Sequence, residues 1–350
     1  MPTGNLTIVQ FLIASIIKIA LFLFVLLTGV AYTVWLERKV VGHIQNRWGP
    51  TRVGPFGLLQ PLADGLKFIF KEDLTPPYVH RFLYILAPML SLITALISIS
   101  LIPVGDTITI RGITTPIQIT DTNISLLIIL GVTSIGVYGV ALAGWSSNSK
   151  YSMLGSLRAS AQMVSYEVAL GLSLVGVLML TGSFSLRKIV EAQSGWFWHW
   201  NVFGGFQIVA FFIYLCAAYA ETNRIPFDLP EAETELVAGY HTEYSSMKFA
   251  MFFMAEYANM VTVACLASIL FLGGYSGPKF EAFLPPILSS LMPVIWFLAR
   301  VVFFLFVYIW VRGTLPRFRY DQLMAFSWKF LLPLALANIM LTGLWVALRA

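Results

Sequence analysis

The sequence predicts an all-α polytopic membrane protein of about eight transmembrane helices, with an amphipathic helix lying along the cytoplasmic interface. Three observations carry this. Hydrophobic residues make up 58% of the 350 and charged residues only 11%, against roughly one-quarter charged in a soluble domain. Mean hydropathy is +0.80. Apolar runs long enough to cross about 30 Å of hydrocarbon, at 1.5 Å per residue, recur near 6–36, 82–104, 124–145, 155–182, 203–221, 247–272, 287–311 and 328–348. Each span with its loop uses roughly 35–45 residues, so a single transmembrane domain over 1–350 absorbs the whole length.

The first run is too long for a signal-peptide core and is preceded by no basic segment, so it reads as a retained span. Orientation follows from the basic residues. Segments 37–81, 146–158, 222–248 and 312–329 hold fifteen Lys and Arg, the opposite loops and C-terminal end hold five, and Lys18 and Arg300 fall within spans. Positive-inside logic puts the four richer segments in the cytoplasm and both termini outside. The net charge of +5 thus reports topology and argues against a nucleic-acid partner.

The cytoplasmic segment 37–81 opens with Glu37, Arg38, Lys39, Arg47 and Arg52 among Gly-Pro pairs that force a turning chain. Orientation alone explains the bases but not Glu37, so this reads as a loop folded into a protein surface. Over 57–71, Leu58, Leu62, Leu66 and Ile69 share one helical stripe and Asp64, Lys67 and Lys71 another, as in an interfacial helix. Pattern alone favours simple anchoring there. The outer loops 105–123 and 273–286 carry little charge and read as connections, and the WFWHW cluster at 196–200 reads as an interfacial aromatic belt.

Two spans carry deep charge. Glu167 lies about ten residues into the fourth, roughly 15 Å from its start, and Arg300 lies similarly deep in the seventh. A charge at the bilayer centre costs on the order of 2.5–3.5 kcal/mol even on lenient scales. Each therefore needs a partner or internal water, and a Glu167–Arg300 ion pair is one solution. A protonated, hydrogen-bonded Glu167 is another.

The segment 222–246, with its flanks, gathers Glu221, Asp228, Glu231, Glu233, Glu235 and Glu243, followed one turn into the next span by Glu256. Glu231 and Glu235 would repel at i, i+4, and crowded carboxylates hold protons more tightly. Groups tuned in this way exchange protons near neutral pH. A solvated acidic loop is the equal alternative. Cys216 and Cys265 lie in apolar runs without CxxC spacing, the four histidines are scattered, and no GxGxxG or Walker sequence occurs. Any redox cofactor must then belong to another chain.

At these residues the sequence resembles a known family, the membrane component of respiratory complex I called subunit 1 or, in bacteria, the H-type subunit. GLLQPLADGLKFIFKE at 57–72 and PFDLPEAETELVAG at 226–239 match its two signatures, and LERK, QNRWGP, AETNR and PRFRYDQLM fit as well. The resemblance runs from the first span to Trp328. It implies a subunit of a proton-pumping NADH:quinone oxidoreductase, in a bacterial inner membrane or an organellar one. Its spans and cytoplasmic loops would form most of a tunnel through which the substrate, ubiquinone or menaquinone, enters from lipid. By the same resemblance Glu37, Arg38, Arg47, Asp64, Glu221, Arg224 and Asp228 line or shape that tunnel. Glu167, Glu221, Glu231, Glu233, Glu235 and Glu243 begin an acidic path coupling quinone reduction to proton translocation. FMN and iron–sulfur clusters are expected on partner subunits, with peripheral-arm quinone-site subunits and small membrane-arm subunits as neighbours. Two alternatives are the equivalent subunit of a membrane-bound hydrogenase and an autonomous proton-coupled transporter. The latter calls for an inverted repeat, and none is convincing here.

Overall fold

The computed structural model describes residues 8–110, 113–228, 238–278 and 286–349. Long helices dominate, as expected where a bilayer leaves every backbone amide to be satisfied within its own segment. They are α1 Ile8–Ile44, α2 Gln60–Phe70, α3 Arg81–Ser100, α4 Ser125–Ser146, α5 Lys150–Thr181, α6 Leu186–Ala192, α7 Gln207–Glu221 and α8 Ser246–Phe271. Then come α9 Pro286–Thr314, α10 Tyr320–Phe326 and α11 Leu332–Arg349, the last two joined by a π turn, Ser327–Leu331, into one continuous span. Seven helices among the described residues are long and apolar enough to cross a membrane. The eighth expected span, α7, is apolar but shorter, about 22 Å of rise.

Helix ends follow local chemistry. α5 stops where Gly182 takes a left-handed φ of 64° and its amide bonds back to the Leu178 carbonyl at 2.8 Å, a conformation glycine adopts without strain. Helix pairs approach closely where small residues meet. A side chain at Gly144 on α4 would collide with Ser156 of α5, and one at Gly139 with Ser91 of α3, the small-residue contact that draws membrane helices together without a hydrophobic drive. α5, α7 and α8 form the centre, with Tyr166, Tyr214 and Phe271 fully buried.

Backbone bonds sort the connections into two faces. On one, the His80 amide reaches the Ser146 carbonyl at 3.1 Å, the Phe318 amide reaches Pro226 at 3.1 Å, and Ser246 Oγ donates to the carbonyls of Phe68 and Lys71. On the other, the Leu126 amide bonds Phe184 at 3.2 Å, and Lys18 Nζ, inside the first span, donates to Pro116 at 2.8 Å. Lys18 thus finds its polar neighbour on a feature that the sequence marks only as a connection: an antiparallel hairpin, β1 Thr107–Ile110 with β2 Ile113–Pro116.

Three further expectations are corrected. The interfacial helix is narrower than 57–71: a 3-10 turn occupies Pro55–Gly57, with Phe56 at a φ of 56°, and α2 begins at Gln60. α5 begins at Lys150 rather than near 155, which places Glu167 about 26 Å along it. Glu256 stands well inside α8 rather than one turn in. The expected sites Glu231, Glu233 and Glu235 lie outside the described residues.

Candidate functional site

The last turns of α1 and α9 and the turn that follows α7 converge on one buried carboxylate. Glu37, only 7% exposed, accepts a hydrogen bond from Arg312 of α9 and a 2.6 Å bond from the Tyr257 hydroxyl of α8. Arg224 lies 3.9 Å from Glu37 and, on its other side, 3.9 Å from Glu256. Its guanidinium also stacks 4.1 Å from the Tyr257 ring. Glu256 accepts in turn from Tyr240 at 2.8 Å. Two acids and two arginines thus neutralise one another in a buried setting, where removing one partner strands the charge of the others.

The turn carrying Arg224 is held by polar side chains. Fully buried Gln162 of α5 donates through Nε2 to the carbonyls of Ala220 and Phe227, both at 2.8 Å, and to Asn223 Oδ1 at 3.3 Å. Asn223 adopts a φ of 49° and Ile225–Pro226 is cis. Asp228, 3% exposed, closes the turn against Arg317 at 3.2 Å.

Behind this network a small cavity of about 30 Å³ is lined by Ser91, Thr133, Glu221, Asn223, Tyr240 and Glu256 among others. That is room for about two waters, and the lining supplies the polar partners they need. Glu221 is half-buried at the end of α7. Glu167, also half-buried, accepts a hydrogen bond from Ser134 of α4 and lies within electrostatic reach of Glu221. It is not paired with Arg300. That guanidinium instead serves the carbonyls of Gly274 and Ser276 on the opposite face, which removes the ion-pair solution.

Other expected residues sit apart. Arg38 and Asp64 pair at 2.6 Å across α1 and α2, half-exposed, with Gln60 bonding the same carboxylate at 2.9 Å. No residue of α2 is buried. Arg47 is exposed; its side chain donates to Gln45 at 2.7 Å and its amide to the Gly42 carbonyl at 2.9 Å. Glu243 accepts from Tyr78 at 2.8 Å, and its carbonyl accepts from Tyr84 at 2.6 Å. Next to it His241 is buried beneath Tyr240, Phe249 and Phe252, and burial pushes its pKa down to about 3. Among the described residues no group of three His, Cys, Asp or Glu side chains is placed to hold a metal ion.

Arg312, Arg317, Tyr257, Tyr240, Asn223 and Gln162 are not predicted from the sequence. Arg312 is visible there only as an orientation charge, Arg317 and Asn223 lie within the matching segments PRFRYDQLM and AETNR but without an assigned role, and the tyrosines and Gln162 carry no local signal.

The NADH dehydrogenase family model matches residues 17–343. Similar curated relatives include the NADH-quinone oxidoreductase subunit designated H 2 in Koribacter versatilis, 77% identical over 98% of this chain and 99% of the relative. The one designated H 1 in Geobacter sulfurreducens is 52% identical over 95% of this chain and 94% of its own length. The counterpart in Thermomicrobium roseum, designated H, is 50% identical over 96% of each. A helical membrane architecture matched along nearly its full length in this way places the chain in the NADH dehydrogenase family, among the H-type subunits of NADH-quinone oxidoreductase.

Proposed function

We propose that the face carrying α2 and the Glu37 network forms most of the wall of a passage by which a quinone, ubiquinone or menaquinone, reaches a redox centre held by a peripheral subunit. The Glu221–Glu256 cavity, with Glu167 beyond it, begins the acidic path that couples quinone reduction to proton translocation. The observation that carries this reading is the continuous polar chain from Glu37 through Arg224 to Glu256 and its cavity. It links the surface below α1 to carboxylates inside the helix bundle.

The chemistry fits. Reduction of a quinone to a quinol consumes protons as well as electrons and changes the charge at the head group. A chain of acids and arginines answers such a change by shifting its own proton or ion-pair arrangement, because Glu37 and Arg224 are buried and Glu37, Arg224 and Glu256 are paired one to the next. In this reading Arg38 and Asp64 shape the entrance beside α2, Arg224 and Asp228 fix the turn beyond it, and Arg47 lies at its outer edge. By the family resemblance Glu231, Glu233, Glu235 and Glu243 belong to the same acidic path. FMN and iron–sulfur clusters belong to the partners, peripheral subunits cover the α2 face, and small membrane-arm subunits take up the path beyond Glu167. The bacterial relatives favour a bacterial inner membrane, and the distribution of Lys and Arg favours both termini on its outer side.

The test is the proton-to-electron ratio of the assembled complex in sealed vesicles. Glu167→Gln and Glu233→Gln enzymes that retain quinone reductase activity should pump fewer protons per electron. A wild-type ratio in both, with assembly verified, rejects the coupling role.

A further inference from the structure

On the face opposite the acid network, a crevice of about 1040 Å³ opens between the chain around 194–200, residues 275–278 and α9. Its backbone is firmly built. Fully buried Gln193 donates to the Ile189 and Ile269 carbonyls and accepts from the amides of Asn201 and Gly273, at 2.8–3.1 Å. Trp196, Trp200, Trp296 and Phe303 form the walls. Trp196 and Phe303 are 75% and 58% exposed, so the crevice opens sideways as well as outward.

Arg300 projects into it from about midway along α9. The guanidinium donates to the carbonyls of Gly274 and Ser276, the second at 2.7 Å, and lies 4.7 Å from the Trp200 ring. All of these partners are neutral. Among the described residues no carboxylate stands within 4.0 Å of Arg300 to form a salt bridge. A cation on a membrane span that borders a cavity, with no counter-ion among the described residues, favours an anionic group held in that cavity. The rim has the opposite sign: Asp106 and Glu191 line it, both paired with Arg187, at 3.7 and 3.1 Å. The tryptophan-rich walls stand beside residues 275–278, just past the end of α8, the kind of lining found where spans meet lipid head groups. The volume exceeds that of a small ion many times and suits a head group with the upper part of an acyl chain.

We propose that this crevice binds one zwitterionic glycerophospholipid. Its phosphodiester lies against Arg300, its ammonium faces Asp106 and Glu191, and an acyl chain runs down α9 past Trp296 and Phe303. The mixed signs of the lining select an ammonium-bearing head group over one with net negative charge, and the lateral opening admits the chains.

The experiment uses the intact complex in nanodiscs containing phosphatidylethanolamine with a photoactivatable acyl chain, followed by peptide mapping of the adducts. Adducts are expected on the peptides spanning 292–303 and 196–200, removed by excess unlabelled phosphatidylethanolamine but not by inorganic phosphate. Arg300→Gln should lower them roughly tenfold, the value of a charge-assisted phosphate contact, while Arg300→Lys keeps most of them. Equal labelling in Arg300→Gln, displacement by inorganic phosphate, or stronger competition by phosphatidylglycerol overturns the proposal. Should Arg300→Gln fail to assemble, competition on the wild-type complex decides, because labelling that does not saturate also overturns it.

Discussion

The hydroxyl of Tyr257 donates a 2.6 Å hydrogen bond to the carboxylate of Glu37, tying the middle of α8 to the end of α1. Because Glu37 is buried and charged, that bond belongs to the stronger class, worth roughly 1.5–3 kcal/mol. Tyr257→Phe keeps the ring beneath Arg224 and loses only the donor. The assembled enzyme is expected to lose quinone reductase activity at a lower temperature than wild type. Glu37→Gln should do more harm, about 3–5 kcal/mol, since it leaves Arg312 and Arg224 without their shared anion. Identical thermal inactivation of Tyr257→Phe and wild type would show that Tyr257 does not hold Glu37.

Arg224 stands 3.9 Å from both Glu37 and Glu256, so its removal and that of Glu256 should not add. Arg224→Gln and Glu256→Gln are each expected to destabilise. The double variant should fall short of their sum by at least about 1 kcal/mol, as for residues in one ionic network. A cycle of inactivation rates on the four enzymes measures this. Simple additivity separates the pair.

The Arg38–Asp64 pair differs because both side chains are partly exposed, 46% and 28%. Pairs of that kind contribute about 0–1 kcal/mol, so Asp64→Asn should leave thermal inactivation nearly unchanged. If α2 shapes the quinone entrance, the same substitution raises the KM for a quinone with a long isoprenoid tail more than for a short-chain analogue. Equal KM values for both substrates in variant and wild type remove Asp64 from the entrance.

His241 gives a pH dependence with a definite sign. Burial holds its pKa at about 3, against 6.5 for an ordinary histidine, so above 6.5 it is neutral whether folded or unfolded. Below that, the unfolded segment takes up a proton that the folded one refuses. Stability therefore declines as pH drops from about 6.5 toward about 3, by a few kcal/mol in order of magnitude. His241→Phe, which fits an aromatic surround, should flatten this acid limb when inactivation rates are compared between about pH 4 and pH 7. An unchanged limb assigns the acid sensitivity elsewhere.

Much of this architecture is legible in the sequence, for physical reasons. Spans declare themselves because lipid demands an unbroken apolar run, and the amphipathic stripe of α2 because two solvents meet along it. The motif residues Glu37, Arg224 and Asp228 are also identifiable, and the structure brings Glu37 and Arg224 together. Who partners whom is not legible. Arg312 answers Glu37 across 275 positions, a relation set by the packing of α9 against α1 and by nothing local. A Glu167–Arg300 pair is plausible from sequence because both charges lie at similar depth, yet depth along a helix says nothing about which way a side chain turns. The hairpin does leave a trace: Thr and Ile alternate in TITI, and an Arg-Gly step precedes ITTP, the period of two and turn residue that mark a strand pair.

One side chain ties the turn after α7 to the helix that bears Glu167. Gln162 sits five positions before Glu167 on α5, and its amide grips the turn at Ala220, Asn223 and Phe227. Any displacement of that turn must either break these bonds or drag the helix with it. Breaking them would strand a fully buried amide at a cost of about 1–3 kcal/mol. Dragging a rigid helix rotates or slides everything it carries, the carboxylate at Glu167 included. The amide is therefore a mechanical linkage: a displacement of the turn would reach Glu167 as a shift of that acid against its Ser134 partner.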